Sequence, residues 1–282
     1  MPDEAIGLRL MTPADFPLGM RLKEIAGWNQ TQADWMRMLT LAGDGGFVAE
    51  YAGRPVGTAF ACRFDRVGWI ATVLVDPEHR RRGIGTRLVE RAIAHLEQRG
   101  AISIRLDATP IGRPLYERLG FRLEYELARW EGAPARRPAS AVAQVGAGQL
   151  GAIEDLDRQV TGTSREGLLR WLFQQQSGAM RGVWKGDSLL GYATWRAGSR
   201  AAMLGPAIAL EPEPGQALMD AVLADRAGRP VYVDIPRDNE AAVRWAQSHG
   251  LVVQRPLFRM VRGQPVSDRP QCIWASSGPE CG

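Results

Sequence analysis

The chain has 282 residues, 45% of them hydrophobic and 23% charged, with a formal net charge of +4. That length suits two globular domains, and no apolar run approaches the roughly 18–20 residues of a membrane helix. Lys23 and Lys185 are the only lysines, so the positive charge is carried by arginines that, apart from Arg80-Arg81-Arg82, are dispersed among acidic residues, which argues against a nucleic-acid partner.

In chain order, the acidic start Met1-Pro2-Asp3-Glu4 lacks the order of a secretory signal, and the expectation is a cytoplasmic protein with no membrane partner. Ile6–Met11 reads as a strand. Thr12 caps a helix to about Ala26, with Pro13 in its first turn. Gln32–Ala42 is a second helix with Trp35, Met38, Leu39 and Ala42 on one face. Gly46–Ala52 and Pro55–Phe64 flank a hairpin turn at Gly53-Arg54, and Gly68–Val75 is a further strand. From Gly83 to Arg99, Ile84, Leu88, Ala92 and Leu96 repeat every four residues, and Gly100 ends the helix. Ile102–Asp107 is a strand, Gly112–Leu119 a short helix and Phe121–Trp130 a strand. Residues 132–140, rich in Pro, Ala and Arg, read as a linker.

The order of elements then recurs. Helices are expected at Ala147–Val160 and Ser164–Gln175, and strands at Arg181–Lys185, Ser188–Arg196 and Ala201–Ala209. A helix near Gln216–Asp225, a strand at Val231–Ile235, a helix at Asn239–His249 and a strand at Leu251–Met260 follow. Tyr116-Glu117-Arg118-Leu119-Gly120-Phe121 aligns with Ala246-Gln247-Ser248-His249-Gly250-Leu251. The expected organisation is a domain over residues 1–131, the linker, a second domain over 141–263, and a loosely ordered tail over 264–282.

Cys62, Cys272 and Cys281, with His79, His95 and His249, give neither a disulfide framework nor zinc spacing, so no metal is expected. The chemistry concentrates where the strand Val73-Leu74-Val75 meets the loop Arg80-Arg81-Arg82-Gly83-Ile84-Gly85-Thr86 and a helix begins. Free N–H groups and the dipole at a helix start suit a pyrophosphate, and glycines let the backbone approach it. The loop is neither a nucleotide P-loop, since Thr86-Arg87 follows Gly85, nor a Rossmann fingerprint, since Leu88 stands where a small residue is needed.

The pattern Arg80-x-x-Gly83-x-Gly85 between a strand and a long helix, followed by Pro114-Leu115-Tyr116-Glu117-Arg118-Leu119-Gly120-Phe121, resembles the GNAT acetyltransferase superfamily. The resemblance covers about Ile6–Trp130 and is mainly topological over Ala141–Arg262. It implies an α/β fold with a mixed sheet, two such domains in tandem, and acetyl-CoA bound by the first. It further implies that Val73, Leu74 and Val75 line the pantetheine slot, that Arg80 to Thr86 hold the pyrophosphate, and that Thr109 and Gly112 flank the arm. Many members have Asn and Ala at these last two positions. By the same resemblance, a backbone N–H near Leu74 polarises the thioester and Tyr116 protonates the leaving thiolate. Trp28 and Asn29, with Gln30, border the acceptor, and Asp107 and Glu24 are candidate carboxylates for substrate binding or proton removal. In the second half the matching turn, Leu210-Glu211-Pro212-Glu213-Pro214-Gly215, offers two acids and two prolines, and Ala246 replaces the tyrosine. The second domain is therefore expected to be degenerate, completing the acceptor cleft. The expected partner is a small-molecule amine, with a protein or peptide amine, or a non-catalytic acyl-CoA sensor, as alternatives. A monomer or homodimer is expected.

Overall fold

The structure is a computed structural model, and it describes residues 6–136 and 142–282. The first repeat runs β1 (Gly7–Leu10), α1 (Phe16–Ile25), α2 (Gln32–Ala42), β2 (Gly46–Tyr51), β3 (Arg54–Phe64), β4 (Val67–Val75), α3 (Ile84–Gln98), β5 (Ser103–Ala108), α4 (Arg113–Arg118) and β6 (Arg122–Gly132). The second runs β7 (Ala143–Gln144), α5 (Leu150–Thr161), α6 (Glu166–Gln175), β8 (Arg181–Lys185), β9 (Ser188–Arg196), β10 (Ala202–Ala209), α7 (Pro212–Ala224), β11 (Val231–Pro236), α8 (Glu240–Ser248) and β12 (Val252–Gly263). A short β13 (Ile273–Ala275) follows.

Local chemistry sets several boundaries. α2 begins at a reciprocal capping box: Asp34 N–H donates to Thr31 Oγ1, and Thr31 N–H donates to the Asp34 carboxylate. α3 buries Ile84, Leu88, Val89, Ala92, Ile93 and Leu96 along one face. The β2–β3 turn is Ala52-Gly53, both at positive φ, one residue earlier than the sequence suggested. α7 starts at Pro212, earlier than expected, because proline in a first turn removes N–H groups that have no helical partner anyway. β6 continues to Gly132, shortening the linker, whose residues 137–140 lie outside the described residues, as does Ala141.

All strands join one sheet in the order β1-β2-β3-β4-β5-β12-β6-β11-β10-β9-β8-β7, with β13 on β10. The repeats are thus not self-contained. β12, the last long strand of the second repeat, lies antiparallel on β5 of the first, from Phe258 opposite Ala108 to Gly263 opposite Ser103. β6 of the first repeat lies on β11 of the second, from Val231 opposite Gly132 to Pro236 opposite Leu127. The exchange carries into the cores. Met260 of β12 packs with Ile70, Leu88 and Ile104, and Trp130 of β6 packs with Val233, Trp245 and Leu251.

The tail is a second correction. Cys272, Ile273, Trp274, Ala275, Ser276, Ser277, Glu280 and Cys281 are all buried. Its prolines and glycines suggested loose order because periodicity measures a segment's own amphipathicity. This segment is instead ordered by the grooves it fills.

Candidate active site

β4 and β5 run parallel only where Val67 to Trp69 pair with Ser103 to Arg105, and then separate. On its other edge β4 carries a bulge. Leu74 faces Thr58 and Ala71 faces Phe60, so Thr72 and Val73 are set against Ala59 alone. Thr72 sits at φ 47, and its carbonyl accepts a 3.0 Å hydrogen bond from Thr58 Oγ1. The strand separation opens a groove of about 710 Å³. Val73, Leu74 and Val75 form one wall, and Thr109, Gly112 and Tyr116 stand on the other.

The outer end of the groove is the turn before α3. Gly83, at φ 80, caps the helix without a side-chain bond, and the first helical bond runs from Arg87 N–H to Gly83 O. The N–H groups of Ile84, Gly85 and Thr86 precede that bond and have no helical acceptor. A Cβ at Gly85 would meet only Val75 and Leu115, at 3.8 and 3.7 Å, so it would project into the groove without displacing the backbone. Arg80 lines the groove and donates from Nε to Val75 O at 3.1 Å.

At its inner end the groove continues into a small pocket reached past Trp28, Val73 and Tyr116. Tyr116 lines both spaces and packs edge-on against Phe121, with ring centroids 5.9 Å apart. Desolvation pushes its phenol above the usual tyrosine range, so it stays protonated.

Some expected residues lie elsewhere. The Asn29 amide is spent on the other repeat: Nδ2 donates to Ala201 O at 2.9 Å, and Oδ1 accepts from the N–H groups of Arg200 and Ala201. It is a clamp between repeats, which corrects its assignment to the acceptor. Glu24 is exposed and paired with Lys23 and Arg200, outside both spaces. Asp107 does line the inner pocket, but Arg259 holds both its oxygens at 2.8 Å, so it is no free base. Arg82 stacks on Tyr51 and donates to its hydroxyl at 2.6 Å; neither it nor Arg81 lines the groove. Ile84 contributes backbone only, its side chain being core. Two charged pocket residues escaped sequence reasoning, Arg255 of β12 and Glu280 of the tail. No local motif marks them, because the strand exchange and the buried tail bring them there.

The corresponding slot of the second repeat is filled. β10 and β11 pair only over Ala202–Leu204 and Val231–Val233. Beyond that, β13 pairs with β10 at Ala207 and Ile208, and Ser276 N–H bonds to Asp234 O of β11. The Trp274 indole lies so close to Gly215 that a Cβ there would overlap it. Among the described residues there is no cluster of potential metal ligands, and no helix is long and apolar enough to cross a membrane.

This geometry agrees with what the chain is similar to. The acetyltransferase (GNAT) family matches residues 15–121, and an acetyltransferase (GNAT) domain family matches residues 153–275. The uncharacterised N-acetyltransferase YitH of Bacillus subtilis is 33% identical over 102 residues, 36% of this chain and 36% of that protein. A glucosamine 6-phosphate N-acetyltransferase of Oryza sativa is 37% identical over 62 residues, 22% of this chain and 38% of that protein. The matched stretch thus spans well under half of either relative. A crystal structure from Pyrococcus horikoshii, provisionally assigned as an acetyltransferase, superimposes with a TM-score of 0.83 at 20% identity, covering 100% of this chain and 98% of the other. With both halves matched and the architecture shared end to end, the chain belongs to the GNAT acetyltransferase superfamily and carries two GNAT domains in tandem.

Proposed function

We propose that the chain is an acetyl-CoA-dependent N-acetyltransferase of a small amine, with a single cofactor site in the first domain. The observation that carries this reading is one continuous space. It begins at the unobstructed N-terminus of α3, where Gly85 leaves room, and runs inward to Tyr116. The N–H groups of Ile84, Gly85 and Thr86, with Arg80, would hold the pyrophosphate. Val73 to Val75 would hold the pantetheine arm against Thr109 and Gly112. When bound, acetyl-CoA supplies an activated acetyl thioester. A backbone N–H at the bulge near Leu74 would polarise the thioester carbonyl, as in an oxyanion site. Tyr116, kept neutral by desolvation, would supply the proton that the departing thiolate needs.

A small acceptor fits because the inner pocket is closed by Leu257 of β12 and by Pro279 and Glu280 of the tail. The relatives that act on glucosamine 6-phosphate support the same class. The second slot, which Trp274 fills and whose turn carries Glu211 and Glu213, supports one site per chain.

Isothermal titration of acetyl-CoA into the full chain tests this. One site is expected, and Gly85→Glu is expected to abolish it while the chain still folds, since a Cβ at Gly85 makes only ordinary contacts. Two sites would overturn the reading of the second domain. No binding, or undiminished binding by Gly85→Glu, would overturn the assigned cofactor site.

A further inference from the structure

The inner pocket holds an imbalance of charge. Its carboxylates are already matched. Asp107 is held at both oxygens by Arg259 at 2.8 Å, and Glu280 accepts from Gln30 Nε2 at 2.5 Å and lies 3.3 Å from Arg196. Behind it, Asp234 is held bidentately by Arg129 at 2.7 Å. Among the described residues Arg255 has no such partner. Its Nε is buried without a hydrogen-bond acceptor, and its side chain lines both the groove and the inner pocket. The groups facing it are Arg129 on β6, Asp234 and Tyr232 on β11, and Glu280 of the tail. Arg129 neutralises Asp234, and Arg37 and Arg196 together neutralise Asp34 and Glu280, so the Arg255 charge remains uncompensated.

The backbone is shaped to place it there. Val253 faces Trp130 and Arg255 faces Arg129, so Gln254 is an extra residue in β12. A bulge of this kind turns the following side chain off the regular alternation of the strand. Desolvation, with Arg129 nearby, disfavours the charge on Arg255. A half-buried guanidinium in that state gains most from an anion that accepts two of its N–H groups.

We infer that Arg255 is the specificity residue for the acceptor, and that the acceptor is a small amine bearing a carboxylate or phosphate group, which Arg255 binds while the amine faces Tyr116. This rests on the acetyltransferase reading above. It assigns the second repeat a direct part in substrate selection, through a strand exchanged into the first domain's half of the sheet.

The test is a calorimetric titration of the CoA-saturated chain with paired amines, each common α-amino acid against its α-amide, and glucosamine 6-phosphate against glucosamine. In the pair that responds, the anionic member is expected to bind about ten- to a hundred-fold more tightly, the range of a charge-assisted contact. Arg255→Gln should reduce that preference to about two-fold or less, with Arg255→Lys between them. An unchanged melting temperature of Arg255→Gln serves as the folding control. Response of the amino acids assigns a carboxylate, and response of the sugar pair a phosphate. Equal affinity within every pair, a preference that survives Arg255→Gln, or no binding of any anionic member would overturn the inference. Because acetyl-CoA binding is measured separately, these outcomes are distinct from failure of the acetyltransferase reading, which would show as loss of cofactor binding.

Discussion

Tyr116 joins the groove to the inner pocket, and among the described residues no other phenol lines either space. Tyr116→Phe removes the donor and leaves the ring packing on Phe121. Turnover is expected to fall about a hundred-fold, within the usual range for general acid catalysis, with acetyl-CoA affinity nearly unchanged. An unchanged turnover would exclude the acid role. The pH dependence has a definite sign. The acid must be protonated, and burial moves its pKa above the ordinary value of about 10, so the protonated range is extended. A turnover-pH profile should therefore show no alkaline decline attributable to Tyr116 below about pH 10.

At the scale of elements, β13 ties the tail to β10 of the second repeat, and the N-terminus of α2 ties the first repeat to β9 of the second. Trp274 fills the second repeat's slot, so Trp274→Ala should cost about 3–5 kcal/mol through the cavity it leaves. Acetyl-CoA stoichiometry should remain one, because Glu211 and, in the first turn of α7, Pro212, Glu213 and Pro214 are all retained; a second site in this variant would show that the tryptophan alone blocks binding. Asp34 of α2 pairs with Arg37 and with Arg196 of β9, each at 2.7 Å. Burial raises the Asp34 pKa, but Arg196, Arg37 and the Thr31 N–H together outweigh it, and the net shift is downward. A lowered folded-state pKa gives stability that is fully present above the unfolded value of about 3.9 and is lost as pH falls through the folded one. Asp34→Asn should flatten that part of the acid-unfolding curve. Asp34→Ala, which strands the buried Arg37 and leaves Arg196 only Glu280 at 3.3 Å, should cost about 3–5 kcal/mol at pH 7.

Across the whole molecule, the exchange of β6 and β12 makes one sheet from two repeats. Separating the repeats would remove the last long strand from each half of the sheet and expose its neighbour's edge. Calorimetry of the intact chain should therefore show a single cooperative transition, and two resolved transitions would argue that the halves fold independently. Expressed alone, residues 1–131 should be poorly soluble, since β5 would lose β12 and β6 would lose both its neighbours.

What the sequence determined by itself is what depends on neighbours along the chain. The helix faces of α2 and α3 follow from apolar spacing. The start of α3 follows from Gly83 and Gly85, and the order of elements in each repeat from turn residues and periodicity. The groove walls at Val73–Val75, Thr109, Gly112 and Tyr116 were expected from the family resemblance that the short motifs Arg80–Gly85 and Pro114–Phe121 carry. Tertiary structure alone decided the rest. Strand exchange depends on which edges meet, and a strand's pattern records which face is buried but not which partner it pairs with. The same limit hid the burial of Trp274, the commitment of Asn29 to Ala201, the pairing of Asp107 with Arg259, and the arrival of Arg255 and Glu280 at the inner pocket. Each of these depends on contacts between residues more than fifty positions apart, where no local spacing can register the partner.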